Sequence, residues 1–417
     1  MRRVRFRDSL LIFIAAAFLA TAGCGGGGSS ASATTPTPPT NPGGSPTPNV
    51  QAITVNTGPA AGPPTNAPYV DGAFTSVTLC VPGTTTCQTI DGILVDTGSS
   101  GLRVLSSALT LSLPQQADSS GDPIVECLPF LDSVTWGPVQ TADLTMAGEH
   151  AKSLPIQVIG TSSFPAIPSA CKNLGPPEED LSGLATNGIL GIGNFAQDCG
   201  AACTVTGSSN PGLYYKCPSS GCEVTTESIS SQVQNPVALF ATDNNGVLIQ
   251  FPAVSGAEPS VTGSLIFGIG TQSNNGLGGA TVYAADPNTG NFTTVFKGVT
   301  YQDDAFLDTG SNGFYFLDSS ITGIPTCTNF TFWYCPANTL NLSAVNQGTN
   351  GAMGTVKFSI GNADTLTANV NDAAVSALGG PSPGLFDWGL PFFFGRSVYV
   401  AIEGRSTPGG SGPYYAY

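Results

Sequence analysis

Positive charge is what this sequence has least of. Lys and Arg number 12 against 27 Asp and Glu, for a net charge of −15, and none of the 12 falls between Arg7 and Arg103. A nucleic-acid binder displaces counterions with basic patches; none is visible here, so that class is excluded. Charge of either sign is sparse: 9% of residues, where soluble domains usually carry about 25%. The surface must therefore rely on Ser, Thr, Asn and Gly. There is a single histidine, His150, in the hairpin-like "AGEHAK". With no Gly-x-Ser-x-Gly word near it, a serine-hydrolase triad has poor support.

What the chain does contain is Gly (53 residues), Pro (33) and short apolar runs rich in Val, Ile, Phe and Thr. That composition predicts an all-β protein with many turns, and 417 residues suffice for two domains with their own cores. Residues 1–23 read as a signal peptide: Arg2, Arg3, Arg5 and Arg7 precede the apolar stretch Leu10 to Ala20. That stretch is too short to span a bilayer as a helix. The "TAGC" at Thr21 to Cys24 resembles a bacterial lipobox, with Thr21 where Leu is commoner. It implies cleavage before Cys24 and lipid on its sulfur; the alternative is plain secretion with Cys24 as a free thiol. Gly25 gives no inner-membrane retention signal of the aspartate kind. The expected location is the cell envelope, at the outer membrane, facing periplasm or cell surface. Residues 24–66, with "GGGGSSASATTPTPPTNPGGSPTP" at their start, predict a flexible tether, with order beginning near Asn66. Residues 405–417 predict a loose tail whose tyrosines could dock on a neighbour.

Setting Cys24 aside leaves ten of the 11 cysteines, an even number in an exported chain. Sequence does not fix connectivity. The expected pairs are Cys80 with Cys87, Cys127 with Cys171, Cys327 with Cys335, and a nested set, Cys199 with Cys222 and Cys203 with Cys217. A zinc site at that last cluster is the weaker rival, since only one histidine is available. "DPNTGN" at Asp286 to Asn291 has the flavour of a calcium loop, but Lys297 stands where such a loop needs Glu. No metal or cofactor is expected.

The informative feature is a repeated word. "ILVDTGSSGLRVL" runs from Ile93 to Leu105, and "AFLDTGSNGFYFL" from Ala305 to Leu317. One Asp-Thr-Gly-Ser after a strand is adequately explained as a turn. Two copies are not, because each follows an apolar run and precedes, at a similar interval, a strand entered through glycine. Those strands are "NGILGIG", Asn187 to Gly193, and "FDWGLPFFFGRSVYVAIEG", Phe386 to Gly404. The pattern predicts a diverged internal duplication, one unit over 67–235 and the other over 236–404.

These residues resemble the pepsin-type aspartic proteases over nearly all of the sequence after the tether. "APYVDGAFTSVTLCVPGTTTCQTIDGILVDTGSS" is similar to that family's opening hairpin, and "TGSLIFGIGTQSNN", Thr262 to Asn275, to its strand and turn early in the second lobe. The resemblance implies a bilobal all-β fold, two related barrel-like lobes with a cleft between them. It implies a catalytic pair, Asp96 and Asp308, one from each lobe, and Thr97 and Thr309 bonded across the lobes. The chemistry explains the motif: amide hydrolysis needs a base and an acid, and two carboxylates roughly 3 Å apart share one proton and supply both. Gly98 and Gly310 let backbone N–H groups approach the carboxylates. Ser99 and Ser311 can hydrogen-bond the outer oxygens.

Two departures stand out. The family's flap bears a tyrosine; here "SVTWGPVQTADLTMAG" places Trp136 in that slot and makes the flap look shortened. Arg103 stands where the family has a tryptophan. A cation–π pair between Arg103 and Trp136 is one reading; ordinary strand packing for Trp136 and a surface position for Arg103 is the other. The basic inhibitory pro-segment typical of the family is also absent, given the gap between Arg7 and Arg103. The favoured function is therefore a monomeric aspartic endopeptidase acting on polypeptides and held at a membrane by lipid. The rivals are a catalytically silent protein that holds a peptide or glycan in the same cleft, and a structural envelope lipoprotein.

Overall fold

The computed structural model describes residues 48–59, 69–316 and 322–417. The expected signal peptide, Cys24 and most of the expected tether lie outside the described residues.

The first lobe is built from β1 (Val50–Val55), β2 (Ala73–Cys80), β3 (Cys87–Asp96), β4 (Ser100–Leu105), β5 (Ile124–Pro129), β6 (Val134–Met146), β7 (Glu149–Ile159) and β8 (Gly188–Ile192). β3 begins with exposed and buried residues interspersed and ends on four buried positions, Ile93 to Asp96. The apolar run "ILV" thus drives the strand end into the interior and carries Asp96 with it. β3 lies parallel to β8, with Asp96 opposite Gly191, and β8 lies antiparallel to β4, with Ser100 opposite Ile192.

The second lobe repeats this arrangement. Strand Val299–Leu307 lies parallel to Phe386–Trp388, with Leu307 opposite Trp388. Phe386–Trp388 in turn lies antiparallel to Phe314–Tyr315. A pair of parallel strands with an Asp-Thr-Gly-Ser loop on one of them therefore occurs twice, as the duplicated sequence predicts. The lobes differ in filling. Around the first loop the core is aliphatic; around the second it is aromatic, with Phe292, Phe296, Phe314, Phe316, Phe386 and Trp388 all buried. The result is a bilobal all-β protein with two barrel-like sheets.

Two stretches expected to be loose are ordered. Within the expected tether, Val50–Val55 is β1, which pairs along its whole length with strand Val261–Phe267 of the second lobe and at its end with β2 of the first. It stitches the lobes together. Its buried Ile53 and Val55 supply an apolar alternation that the low-complexity segment before it lacks. In the expected tail, Tyr414–Ala416 is a strand paired with Ser397–Ala401 and Val282–Ala284. Its tyrosines dock within the chain: Tyr417 stacks on Tyr283, and Tyr415 packs against Phe292.

Of the ten cysteines, Cys80–Cys87, Cys127–Cys171 and Cys327–Cys335 pair as expected. The nested set is corrected: the bonds are Cys199–Cys203 and Cys217–Cys222, two small local loops. The cysteines nearest in sequence meet because each pair closes a tight turn of its own, flanking the short strand Tyr214–Lys216. These pairings also dispose of the zinc rival. The metal-like group among the described residues, Cys327, Cys335 and Asp364, has its two sulfurs bonded to each other. Trypsin cleaves after Lys216, between the two corrected bonds. Digestion of denatured, unreduced protein should release the peptides on either side of Lys216 as separate species in mass spectrometry. A linked species would restore the nested pairing.

Candidate active site

The ends of β3 and of Val299–Leu307 bring the two loops face to face. The Oγ1 of Thr97 accepts from the Thr309 amide at 3.0 Å and donates to the Leu307 carbonyl at 2.8 Å. In mirror fashion, the Thr309 Oγ1 accepts from the Thr97 amide at 3.2 Å and donates to the Val95 carbonyl at 2.7 Å. Both threonines are buried. Each hydroxyl uses its one donor and an acceptor site, so the four bonds leave neither rotor free. The cross-lobe role expected of Thr97 and Thr309 is what the geometry contains.

This grip sets the aspartates. Asp96 Oδ1 accepts from the Gly98 amide at 2.7 Å, and its Oδ2 from Ser99 Oγ at 2.5 Å. Asp308 repeats the pattern with the Gly310 amide at 2.7 Å and Ser311 Oγ at 2.9 Å. The glycines also make room for the opposite lobe. A Cβ on Gly98 would lie 2.7 Å from Asp308 Cγ, and one on Gly310 would lie 2.8 Å from Asp96 Oδ1. The carboxyl groups of Asp96 and Asp308 are themselves in hydrogen-bond contact. Two carboxylates cannot be so placed unless a proton sits between them. Burial first, and then the charge of Asp96, push Asp308 well above the usual carboxylate range, against the lowering effect of Gly310 and Ser311. The one proton belongs to the pair.

Trp136 and Arg103 are not where the flap comparison put them. Trp136 lies within β6 opposite Cys127, buried, with Nε1 donating to the Phe164 carbonyl at 2.9 Å and its ring edge-on to Tyr215. It is strand packing, as the alternative reading held. Arg103 neither stacks on it nor reaches the surface. It is fully buried, with Nη2 at 2.8 Å from Glu126 and 3.1 Å from Asp198, and Nη1 donating to the Ser100 carbonyl at 2.9 Å. Tyr214 also donates to Asp198 at 2.8 Å. Arg103 therefore ties the end of the first catalytic loop to the disulfide-rich excursion after residue 198. Burial, and then Glu126, push Asp198 well above the usual carboxylate range.

The stretch read as the flap spans strand β6 and the turn after it. Gly148 belongs to the turn between β6 and β7. The hairpin before it is β5–β6, whose tip, Phe130 to Ser133, is closed by the Phe130 amide on the Ser133 carbonyl at 2.8 Å. Leu131 and Asp132 are exposed at that tip. Two buried phenols feel the charge of Asp132. Tyr69 is pushed up by burial and then by Asp308, Asp132, Asp96 and Glu178. Tyr315 is pushed up by burial and then by Asp387, with Asp132 also contributing, and it bonds Asn312 of the second loop at 2.6 Å. Sequence reasoning missed Tyr69, Asp132, Glu178 and Asp387. A carboxyl inside the apolar "FDWG" was the one visible signal among them.

Two lobes of one β plan, each giving an Asp-Thr-Gly-Ser loop to a shared carboxyl pair, define the pepsin-type aspartic protease fold. The chain itself belongs to the family described as protein of unknown function DUF3443, whose model matches residues 45–417. No curated protein matches the chain. Among solved structures, an aspartic proteinase from Irpex lacteus aligns with a TM-score of 0.49 and 15% identity, over 88% of this chain and 96% of that one.

Glu178 gives the hairpin a pH dependence. Its amide donates to the Val134 carbonyl at 2.9 Å, at the foot of the tip. Burial, and then Asp132, raise its pKa from 4.5 to about 7. A carboxyl raised on folding binds its proton more tightly in the native state, so its contribution is present at low pH and lost as pH rises through that window. Urea titrations should show wild-type stability falling relative to Glu178→Gln between pH 4.5 and about 7, and no further above it. Parallel curves for the two proteins would refute the assignment.

Proposed function

We propose that this protein is an aspartic endopeptidase. The carrying observation is the carboxyl pair: Asp96 and Asp308 in contact, each held by a glycine amide and a serine hydroxyl. As general base, Asp96 takes a proton from a water held between the carboxyls, and the resulting hydroxide attacks the amide carbon. Asp308 gives its proton to the carbonyl oxygen; the tetrahedral diol then collapses as Asp96 gives its proton to the leaving nitrogen and Asp308 takes one back from a diol hydroxyl. The buried site strengthens each of these electrostatic terms. In this reading the β5–β6 tip, with Leu131 and Asp132, serves as the lid over a bound polypeptide. A structural role gives no reason to keep two carboxyls in costly contact at the lobe junction.

The same reading places the protein, as a monomer, at the bacterial envelope, exported by residues 1–23 and anchored by lipid on Cys24. A Cys24→Ser chain is expected in soluble fractions, with the wild type in membranes. Unchanged membrane association of the mutant would remove the anchor from the proposal.

Catalysis is tested by digesting a peptide library with the exported chain between about pH 3 and 7, where a shared-proton pair works. Cleavage should peak at acid pH and be lost on adding pepstatin. Asp96→Asn and Asp308→Asn should each lower kcat by about 10³-fold, within the range for losing an acid–base group. The double mutant should be no worse than either, because the pair acts as one unit. Gly98→Ala should match them by displacing Asp308. A correctly folded wild type that cleaves no library peptide would overturn the endopeptidase reading in favour of the binding protein.

A further inference from the structure

The two lobes differ at one position beside the dyad. Leu94 lies opposite Ile189 in the first lobe, and Phe306 lies opposite Asp387 in the second. Counting back from Asp96 and Asp308, these are equivalent sites. Ile189 packs with Leu105, Ile159 and Leu184, an apolar setting for an apolar residue. Asp387 is fully buried between Phe386 and Trp388, and among the described residues neither of its carboxyl oxygens has a hydrogen-bond partner.

The hydroxyl of Ser311 is the one polar side chain near enough to favour an ionised Asp387, yet no hydrogen bond joins the two. That hydroxyl already spends its single proton on Asp308 Oδ2, at 2.9 Å. An ionised Asp387 would thus face a hydroxyl with nothing left to donate, whereas a protonated Asp387 could donate to the free lone pair of Ser311. The other titratable groups that face it are Asp308 and Asp96 from the two loops, Tyr315 from the neighbouring strand and Tyr415 from the C-terminal strand. All are acids. No ion pair among the described residues brings Lys or Arg to it.

We propose that Asp387 is a positioning residue that keeps a proton and donates it to Ser311 Oγ, fixing Ser311 as donor to Asp308 Oδ2 and confining the dyad's proton to Asp308 Oδ1. Its effect on turnover rests on the endopeptidase reading; its protonation does not. Burial, and then the charge of Asp308, favour the neutral acid. When Asp387 does ionise, Ser311 turns to donate to it, and Asp308 loses its outer bond. Loss of activity toward high pH then involves two protons, the dyad's and that of Asp387.

The test combines carbon-13 NMR of the exported chain labelled at aspartate carboxyls with pH–rate profiles. In wild type, a carboxyl carbon with a protonated shift at about pH 7, far above the ordinary aspartate value, should be present and should vanish in Asp387→Asn. Asp387→Leu, which has no donor, should lose about fivefold to tenfold in kcat with KM little changed, as loss of one net hydrogen bond predicts. Asp387→Asn should recover most of that loss at acid pH, because its amide can donate to Ser311. Its activity should fall toward high pH with the slope of one proton, where wild type falls with two. Circular dichroism checks that both variants fold. The proposal is overturned if no protonated carbon is lost in Asp387→Asn, or if all three proteins give superimposable profiles. A wild type without peptidase activity would sink the endopeptidase reading alone, since the carbon titration still decides the state of Asp387.

Discussion

Everything at the centre of this molecule depends on two carboxyl groups being held in contact. Their mutual repulsion would part the lobes unless one proton stays between them and the backbone on either side is fixed. Thr97 and Thr309 supply the fixing. Each hydroxyl bonds an amide and a carbonyl from the other lobe, so neither loop can shift without breaking bonds in both. A buried polar group that loses its partner costs about 1–3 kcal/mol, so the grip resists partial opening more strongly than four isolated bonds would. β1 reinforces it by joining the first lobe to Val261–Phe267 of the second, and the C-terminal strand does so by packing Tyr415 beneath the aromatic core.

The same logic governs the first lobe further out. Arg103, Glu126 and Asp198 form a fully buried ionic group, an arrangement whose desolvation can exceed its Coulombic gain. Two of its side-chain atoms, Arg103 Nε and Glu126 Oε2, have no partner among the described residues. Stability alone does not account for such a group. What it does do is join three separate pieces of chain: the end of the catalytic loop at Ser100, strand β5, and the excursion carrying Tyr214 and two local disulfides. β5 is one arm of the β5–β6 hairpin, so that hairpin and the Asp-Thr-Gly-Ser loop share an anchor.

The sequence made the dyad legible because its motif occurs twice and because the chemistry tolerates few substitutes. The aspartates, glycines, serines and threonines of both loops lie where the repeated word put them. The flap was not legible. An aromatic residue near a glycine looked like the functional tyrosine, but Trp136 is a buried residue of β6. Arg103 misled for a different reason. An arginine among apolar residues is read as snorkelling outward, and its buried partners come from positions 126 and 198, which no local pattern connects. β1 was hidden by the low-complexity stretch before it, and the C-terminal strand by its glycines. Asp387 lay in plain view, but one carboxyl in a strand has no motif to announce it; only its position beside Ser311 gives it meaning.

The shortage of positive charge, the first property of this sequence, ends by explaining the site. Only three ion pairs form among the described residues, and two of them belong to Arg103. Asp96, Asp308, Asp387, Asp132 and Glu178 therefore gather around one cleft without a lysine or arginine paired to any of them. Buried carboxyls in that position can be made tolerable only by protons. Asp308 and Asp387 are both displaced well above the ordinary range by burial, and Glu178 rises to about 7. Protons thus take the place that basic side chains hold in other clefts. A site assembled this way is set by the acidity of its surroundings, and that is the chemistry a shared-proton carboxyl pair requires.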